Sequence, residues 1–417
     1  MSATVLRKGW CPGALRPMPA GDGLLVRLKL TAGELAASSA VAIAELAGEH
    51  GNGSIDLTRR ANLQIRGVRE ASLPELTRAL QSLGLIDDSL EAEAIRNVMV
   101  SPLAGFDLSC TDGRDMARAL EDRLRQDKRL HGLSAKFGFS IDGGGIWPLD
   151  ATNMDIGLRA ADDRGSWTVQ LAGSELSSAP IAGGQAVATL MRLAAAAIES
   201  GLPRMRELVA RDGGHAVLAR AGVAMATVER PPNNPTPAAA GRLALSPDLL
   251  VAAIGLPFGR IEASQLARLG EATGQGMTLR LTPWRLLLVP CRDTVGATTV
   301  LELAAKLDLV TTAADPRAQI AACTGAPACP NGTTPTREDA LRVYERIAAR
   351  GSTRSPRLHV SGCAKSCAHS GFAGVTLIAR DGRYDLVLNG TAADPPALTS
   401  IDRRNLAAAI AKLDERS

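Results

Sequence analysis

The sequence is poor in aromatic residues, nearly balanced in charge and without long apolar segments. Phe, Trp and Tyr make up 3% of the 417 residues, which disfavours base-stacking surfaces and carbohydrate platforms. The formal net charge is +4, so no overall field favours nucleic acid or an acidic membrane surface. No run is long enough to span a bilayer, and residues 1–23 contain no apolar signal-peptide core. We therefore expect a cytoplasmic protein that binds neither nucleic acid nor membranes.

Cysteine is also scarce, but four of the seven residues are concentrated near the C-terminus. Five residues separate Cys323 from Cys329, and three separate Cys363 from Cys367. A helical turn over residues 362–369 would place the second pair on one face. Paired zinc ligands mostly lie about two to four residues apart, whereas a [4Fe–4S] cluster takes one thiolate per iron. We expect this quartet to hold a [4Fe–4S] cluster; a structural zinc and four unrelated buried thiols are the alternatives.

The order of secondary-structure signals occurs twice along the chain, beginning near the N-terminus. Gly23–Leu30 alternates like a half-buried strand, and Thr31 with Glu34 forms a capping-box pattern ahead of an Ala-rich helix. A second strand signal covers Gly53–Val68, and a further helix begins at Ser72. These βα units predict half of a ferredoxin-like α+β sheet.

The second copy of this order begins after Gly241. Ser246 is predicted to start a helix, and another helix runs from about Ala263 to Gly274. The strand signal at Gly276–Val289 then matches the second strand of the first copy. The sequence therefore predicts a duplicated α+β fold with pseudo-twofold symmetry and an active site between the halves.

Composition and the internal match suggest the domain boundaries. We expect residues 10–85 to form a first ferredoxin-like half-domain, 86–228 a first α/β domain, 229–241 a Pro/Asn/Ala-rich linker, 242–310 a second half-domain and 311–417 the cysteine-bearing domain. Within this scheme, Ser134–Gly145 is expected to take the place in the first copy that Ser361–Gly371 takes in the second.

Basic residues gather in the first copy. Arg59, Arg60 and Arg66 are predicted on the second strand, where even spacing puts Arg60 and Arg66 on the same face. Arg96 and Lys136 follow. Guanidinium groups that converge on a cleft bind an oxyanion or a polycarboxylate through forked, charge-assisted hydrogen bonds. The alternative is that these are solvated surface cations.

The cysteine spacing on a duplicated fold resembles the sulfite and nitrite reductase family. The segment LTRRANLQIRG resembles the family's Thr-x-Arg-(Gln)-Asn-x-Gln-x-Arg strand, RNV its second anion-site arginine and AKF its active-site lysine motif. The resemblance implies a sulfite/nitrite-reductase-like fold with two ferredoxin-like half-domains and two α/β tetrapyrrole- or cluster-binding domains. It implies catalytic roles for Arg60, Arg96 and Lys136. The substrate-binding positions it implies are Arg60, Asn62, Gln64, Arg66, Arg96 and Lys136, and the [4Fe–4S] ligands are Cys323, Cys329, Cys363 and Cys367.

One position departs from the reductase pattern. Gly138 stands where sulfite reductases carry a second lysine and nitrite reductases an asparagine, so one anion donor is missing. The opening GWCPGALRPMPAGDGLLVRL and the segment LHVSGCAKSCAH most resemble an oxygen-dependent branch of the family that acts in aerobic cobalamin biosynthesis. That resemblance implies a monooxygenase that hydroxylates precorrin-3A at C20 while a ring-A acetate closes a γ-lactone at C1.

The same resemblance implies a mononuclear non-haem iron besides the cluster, dioxygen as co-substrate and an NADH-linked reductase as electron donor. No spacing in the sequence identifies ligands for that iron. His359 and His369 flank the second cysteine pair and are candidate hydrogen-bonding partners of the ligands. Cys367, which bridges to sirohaem in the reductases, is expected to bind only the cluster. The alternatives are a sirohaem-dependent nitrite or sulfite reductase and an iron–sulfur electron carrier or cluster scaffold.

Overall fold

The computed structural model describes residues 11–149, 154–162, 165–229, 239–246, 249–348, 358–369 and 371–414. The strands are β1 (Met18–Ala20), β2 (Gly23–Leu28), β3 (Glu34–Ala36), β4 (Ser54–Leu57), β5 (Leu63–Val68), β6 (Val98–Val100), β7 (Phe139–Asp142), β8 (Ile156–Ala160), β9 (Ser166–Leu171), β10 (Leu176–Ser178), β11 (Ile181–Ala182), β12 (Met225–Glu229), β13 (Gly241–Ser246), β14 (Leu249–Gly255), β15 (Arg260–Glu262), β16 (Thr278–Leu281), β17 (Leu286–Cys291), β18 (Ile320–Ala322), β19 (Leu358–Ser361), β20 (Ala373–Arg380), β21 (Arg383–Gly390) and β22 (Leu398–Ile401). The helices are α1 (Ala37–His50), α2 (Leu73–Ser82), α3 (Leu90–Ile95), α4 (Arg114–Gln126), α5 (Gly183–Glu199), α6 (Met205–Asp212), α7 (Gly214–Arg220), α8 (Ala263–Thr273), α9 (Thr294–Lys306), α10 (Thr336–Ala348) and α11 (Leu406–Asp414).

Two five-stranded antiparallel sheets form the centre of the molecule. Their strand orders are β1-β2-β5-β4-β15 and β13-β14-β17-β16-β3. Helices α1 and α8 pack against each other beneath them. One apolar core is shared by both sheets, with Ile43 and Ile65 from the first half and Leu269 and Leu287 from the second. Burial of this shared apolar surface holds the halves together.

Each central sheet borrows one strand from the other half. Strand β15 pairs with β4, and β3 pairs with β16, so the halves exchange edge strands reciprocally. The same backbone turn precedes both exchanged strands: Ala32 and Phe258 adopt left-handed φ values of 54° and 55°. A matching turn in both halves is direct evidence for the predicted duplication.

The two outer sheets repeat one topology. In the first, β6, β7 and β8 are parallel and β9 runs antiparallel to β8. In the second, β18, β19 and β20 are parallel and β21 is antiparallel to β20. Parallel strands place the loops that follow them at one edge of the sheet. The duplicated α+β fold predicted from the sequence is therefore confirmed.

Several local predictions differ from the structure. Thr31 and Glu34 do not cap a helix, because the Thr31 hydroxyl donates to Glu121 and residues 34–36 pair as β3, so α1 begins only at Ala37. The two long strand predictions, 53–68 and 276–289, are each a hairpin rather than one strand. Ser246 ends a strand that pairs with β14, which makes the predicted helix start wrong.

The internal register also differs from the prediction. Phe139 pairs with Val98 in the same way that Leu358 pairs with Ile320, so β7 and β19 are equivalent. Ser361–Gly371 therefore corresponds to the segment after β7, beginning at Asp142, and not to Ser134–Gly145 as a whole. Most of the predicted linker lies outside the described residues, and the domain boundaries stay predictions. Among the helices that the structure describes, none has the length and apolar character to cross a bilayer.

Candidate functional site

The cysteine quartet lies at one edge of the second outer sheet. Cys323 directly follows β18, and Cys363 follows its parallel neighbour β19. The Gly362 N–H donates to the Cys323 sulfur at 3.1 Å, which joins the two loops. Backbone donors to cysteine sulfur are typical of iron–sulfur sites, where they tune the potential. The parallel sheet thus brings together two cysteine pairs that lie far apart in sequence.

Glycines allow the two cysteine loops to approach each other. A Cβ on Gly362 would lie 3.3 Å from the Cα atoms of both Gly325 and Gly332. A Cβ on Gly332 would lie 2.8 Å from the Ala326 nitrogen. Side chains at these positions would therefore force the loops apart, and the small residues preserve the space around the sulfurs.

The four thiols lie close enough to influence one another. Burial raises the pKa of Cys363, and the nearby thiols Cys329 and Cys323 raise that pKa further. Burial also raises the pKa of Cys367, and the other three cysteines add to the rise. Four sulfurs that must all be thiolates need positive charge among them, which iron supplies. The residues present fit a [4Fe–4S] cluster.

The peptide around Cys363 and Cys367 differs from the predicted helical turn. Residues 362–369 form turns without helix, and Ser366 has a left-handed φ of 50°. Cys367 is the exposed member of the quartet, whereas Cys363 is half-buried. The i and i+4 argument for placing the second pair on one face is therefore wrong, although the pair still meets the first.

Ligands for a mononuclear iron are not identified. In the described parts of the chain, no three His, Cys, Asp or Glu side chains are grouped closely enough to hold a single metal ion. His359 and His369 lie with ring centroids 5.7 Å apart, and both nitrogens of the buried His359 lack a hydrogen-bond partner. Burial lowers the pKa of His359 to about 4, so this imidazole is neutral near pH 7.

Two equivalent hairpin turns extend from the central sheets toward the cysteine loops. In the β4–β5 turn, the Thr58 hydroxyl accepts from the Asn62 N–H, and Ala61 has a left-handed φ of 52°. In the β16–β17 turn, the Thr282 hydroxyl accepts from the Leu286 N–H, and Arg285 has φ 64°. The same turn geometry therefore presents different side chains in the two halves.

The β4–β5 turn carries Arg59 and Arg60, so these residues lie in a turn rather than on the predicted strand. The even-spacing argument that linked Arg60 to Arg66 is therefore wrong. Arg60 donates to the backbone carbonyl of Lys136 at 2.8 Å. Burial lowers the pKa of Arg60, and in the described structure no carboxylate lies within ion-pairing distance of it. Of the predicted basic group, the structure thus brings Arg60 into contact with the backbone of Lys136.

Arg27 is a second, partly buried cation beside Arg60, and the sequence analysis did not predict it. Arg27 on β2 donates through Nε and Nη2 to the Gln64 side-chain oxygen, at 3.0 and 2.6 Å. Burial lowers the pKa of Arg27 to about 10, and the positive charge of Arg60 acts in the same direction. Gln64 therefore holds Arg27 in place. The alternation of β2, which turns Arg27 away from the core, was the available signal.

Arg285 is a cation that the second hairpin turn presents, at the position that Ala61 occupies in the first. Its Nη2 donates to the Ala368 carbonyl at 2.9 Å, directly beside Cys367. Burial lowers its pKa to about 10, and the charges of Arg59 and Arg337 lower it further. No carboxylate in the described residues pairs with it. Arg285 was not predicted, because its role depends on the turn that aims it.

Two predicted site arginines are neutralised instead. Arg96 pairs with Asp87 and Glu121 at 2.8 and 3.1 Å, and these carboxylates raise its pKa against the effect of burial. It lines a cavity of about 410 Å³. Arg66 pairs with Asp22 and Asp56, each at 2.9 Å. Both arginines hold carboxylates of the chain itself, so the structure does not present their guanidinium groups as open anion sites.

Other contacts attach the first half to the cysteine loops. The Gly21 N–H donates to the Ala328 carbonyl at 3.0 Å, next to Cys329. Asn62 is buried, and its N–H donates to Thr58. The site therefore lies where Gly21 of the first half and Arg285 of the β16–β17 turn contact the cysteine loops.

Gly138 is closed off by a neighbouring side chain. A Cβ there would lie 2.7 Å from the Met154 sulfur, and the Gly138 N–H donates to Asp155 at 3.1 Å. Asp155 also pairs with Arg204 at 2.9 Å. Met154 belongs to a small apolar cluster against which Trp284 packs. A longer side chain at Gly138 would therefore have to displace Met154.

Comparison with known proteins identifies the family and the fold. Residues 16–83 match the family described as the nitrite/sulfite reductase ferredoxin-like half domain. The chain is similar to a precorrin-3B synthase from Sinorhizobium sp, with 32% identity covering 98% of this chain and 88% of the relative. A ferredoxin–nitrite reductase from Synechococcus elongatus is 25% identical, covering 91% and 80%. The structure of the Mycobacterium tuberculosis NirA protein matches with a TM-score of 0.78 at 17% identity, covering 94% of this chain and 80% of that one, and supports the fold alone. The chain belongs to the precorrin-3B synthase family, which has the nitrite and sulfite reductase fold.

Proposed function

We propose that the protein is an NADH-dependent, oxygen-dependent monooxygenase that converts precorrin-3A to precorrin-3B. One oxygen atom of dioxygen enters the product as a hydroxyl at C20, and the other leaves as water. The two electrons come from NADH through a separate reductase. The ring-A acetate closes a γ-lactone at C1. The supporting relation is the 32% identity to a precorrin-3B synthase over nearly the whole chain.

The observation that carries the proposal is a set of partly buried cations for which the described residues offer no carboxylate partner. Arg27, Arg60 and Arg285 are each buried deeply enough to lower the pKa. Their hydrogen bonds go to neutral oxygens and leave the positive charge uncompensated, so the site is suited to a ligand that brings negative charge. A precorrin carries acetate and propionate groups around its rim, and guanidinium groups bind such carboxylates in forked pairs.

The chain's own residues would bind and orient this substrate. Arg60 and Lys136 lie on the side of the first half, and Arg285 lies beside the cysteine loops. Carboxylates anchored at both sides would fix the macrocycle in one orientation, which sets the carbon that faces the redox centre. Gln64 would keep Arg27 oriented while the substrate enters. The apolar surroundings of Gly138 would exclude water from the ring.

The cysteines would hold the cluster, which supplies single electrons when bound. Cys323, Cys329, Cys363 and Cys367 are the four ligands, and the Gly362 N–H would stabilise the reduced state through its bond to Cys323. No step is assigned to a mononuclear iron, because the described residues offer no ligand set for it.

A sirohaem-dependent nitrite or sulfite reductase is the second candidate. The 25% identity to a ferredoxin–nitrite reductase over 91% of the chain favours it. The crowded Gly138 argues against it, because a lysine there would displace Met154.

The test is anaerobic purification, followed by iron and sulfide analysis, a visible spectrum and oxygen uptake with precorrin-3A. We expect a broad brown absorption, about four iron and four sulfide in the cluster, and oxygen uptake that requires substrate and reductant together. Intense sirohaem bands with reduction of nitrite or sulfite would establish the second candidate instead. An iron–sulfur protein without activity on either substrate would support an electron carrier.

A further inference from the structure

The equivalent hairpin turns differ most at one position. The first turn presents Arg60, and the second presents Trp284 at the same place, because Ala61 and Arg285 share the left-handed conformation that follows. A charged side chain in one half is therefore replaced by the largest apolar ring in the other. Duplicated turns that differ in this way can contact two chemically different parts of one ligand.

Trp284 lies between the two regions that define the site. Its neighbour Arg285 donates to Ala368 at 2.9 Å, which fixes the turn against the cysteine loops. On the other side, Trp284 packs against the cluster that contains Met154. Met154 in turn fills the space next to Gly138, two residues from Lys136. The indole thus connects the apolar and basic sides of the cleft.

The Trp284 indole packs against other apolar side chains and is only partly buried. Trp147 is 3% exposed and packs edge-on against Trp284 with ring centroids 5.9 Å apart. Met99 and Leu149 complete the apolar support. Trp284 itself remains partly exposed. A rigid, backed aromatic ring with an exposed surface is suited to packing on a flat ligand.

We infer that Trp284, backed by Trp147 and Met154, is the platform that packs against the face of the tetrapyrrole-derived macrocycle. The inference rests on the proposed function and adds a specificity determinant to it. The surrounding arginines recognise carboxylates and would accept any polyanion of suitable size, whereas the platform selects for a broad apolar ring. It also explains why the site favours an organic macrocycle over a small inorganic anion, which has no surface to pack.

The test compares two probes in the full-length, cluster-loaded protein. Uroporphyrin III serves as a stable macrocycle with carboxylate groups, followed by its absorption, and butane-1,2,3,4-tetracarboxylate serves as a polycarboxylate without a ring, followed by calorimetry. Trp284→Ala should weaken uroporphyrin binding roughly tenfold to a hundredfold, as expected for loss of one stacking contact. Binding of the ringless probe should change less than about twofold. Trp167→Phe, at a buried tryptophan of the first outer sheet, is the matched control and should bind both probes as the wild type does.

Further variants protect the test against misfolding. Trp284→Phe keeps an aromatic face and should bind uroporphyrin within about threefold of wild type, whereas Trp284→Leu keeps apolar bulk without a flat face and should lose about tenfold. Equal binding by the Phe and Leu variants would overturn the platform, as would equal weakening of both probes. Wild-type protein that binds no uroporphyrin would overturn the proposed function together with the platform. Wild-type binding that Trp284→Leu leaves unchanged would overturn the platform alone.

Discussion

The two halves of the molecule have the same backbone topology but carry different side chains at equivalent positions. Strand β7 of the first half is followed by Gly143–Gly145, and its equivalent β19 is followed by a cysteine loop. The first hairpin turn presents Arg60, and the second presents Trp284. Side chains at equivalent positions have thus diverged while the turns that aim them have not. The first half carries Arg27 and Arg60, and the second carries the four cysteines together with Trp284 and Arg285.

The strand exchange shows the same divergence in its ion pairs. In the first sheet, Asp56 of the receiving strand β4 contacts Arg260 of the donated strand at 3.0 Å. In the second sheet, the polarity is reversed: Arg280 of the receiving strand β16 contacts Glu34 of the donated strand at 2.9 Å. The exchange needs one charge of each sign at these facing positions, and either arrangement satisfies it.

The largest expected effect comes from the cysteine loop that only the second half contains. Cys363→Ser should abolish cluster binding, because a hydroxyl is a poor ligand for iron in place of a thiolate. Iron and sulfide content should fall close to zero, and the brown absorption should disappear. Cys110→Ser is the matched control, since Cys110 lies beside Gly143 in the equivalent region of the first half. A Cys363→Ser protein with full iron and sulfide would refute the ligand assignment.

The next prediction separates paired from unpaired arginines. Arg96→Ala should lower the free energy of unfolding by about 3 kcal/mol, because it removes the buried cation shared by Asp87 and Glu121 and leaves them only the more exposed Arg125. Arg60→Ala should leave that free energy nearly unchanged, since Arg60 has no carboxylate partner in the described structure. It should instead weaken substrate binding about 10- to 100-fold. Urea unfolding and the KM for precorrin-3A measure the two effects. A reversed pattern, with Arg60 carrying the stability, would contradict the distinction.

The sequence predicts those features of the site that depend on neighbouring residues, and not those that depend on contacts formed only in the folded chain. The cysteine quartet follows from ligand chemistry and spacing, and two members of the predicted basic group, Arg60 and Lys136, are in contact through the Lys136 carbonyl. The partners of Arg96 lie 9 and 25 residues away, so only the folded chain shows that its charge is neutralised. No sequence pattern identified Arg285, because the direction of its side chain depends on its own left-handed backbone conformation in the turn.

The sequence likewise predicted only part of the fold. Alternation and helix signals identified the duplication, because they are local properties repeated in order. The exchange of β3 and β15 was missed, since three-residue edge strands are defined only by the strand they pair with. Thr31 and Glu34 match a capping box in sequence, but Glu34 is occupied by Arg114, Arg118 and Arg280.

A smaller effect is expected from the two strand-exchange carboxylates. Asp56→Asn should lower the free energy of unfolding by about 3 kcal/mol, and Glu34→Gln by about 1–2 kcal/mol, because the Asp56 side chain is 11% exposed and that of Glu34 is 22% exposed. Burial opposes ionisation of Asp56, but Arg337, Arg260 and Arg66 together hold its pKa below the ordinary value.

The pH dependence tests the contribution of Asp56. A carboxyl group with a depressed pKa in the folded state adds stability above its unfolded pKa of about 4, and that stability is lost as the pH falls toward the folded value. Wild type should therefore lose stability on acidification below about pH 4, while Asp56→Asn should lose less. Urea midpoints between pH 3 and pH 7, roughly spanning this range, measure the difference. Parallel curves for the two proteins would show that Asp56 contributes no such stability.

The smallest effect concerns the point where the basic side of the first half meets the apolar side of the second. Gly138→Ala places a methyl group 2.7 Å from the Met154 sulfur, so Met154 must move, at a cost of about 1 kcal/mol in stability. Gly48→Ala in α1 is the matched control, because nothing lies within 4 Å of its Cβ, and it should stabilise the helix by up to about 1 kcal/mol. Because Met154 supports Trp284, Gly138→Ala should also raise the KM for precorrin-3A, whereas Gly48→Ala should not.

Adding Met154→Ala to Gly138→Ala should cost less stability than the sum of the single changes, since the space is then available. Strictly additive costs would mean that Gly138 and Met154 do not share this space, and the contact between the two sides of the cleft would have to be assigned to other residues.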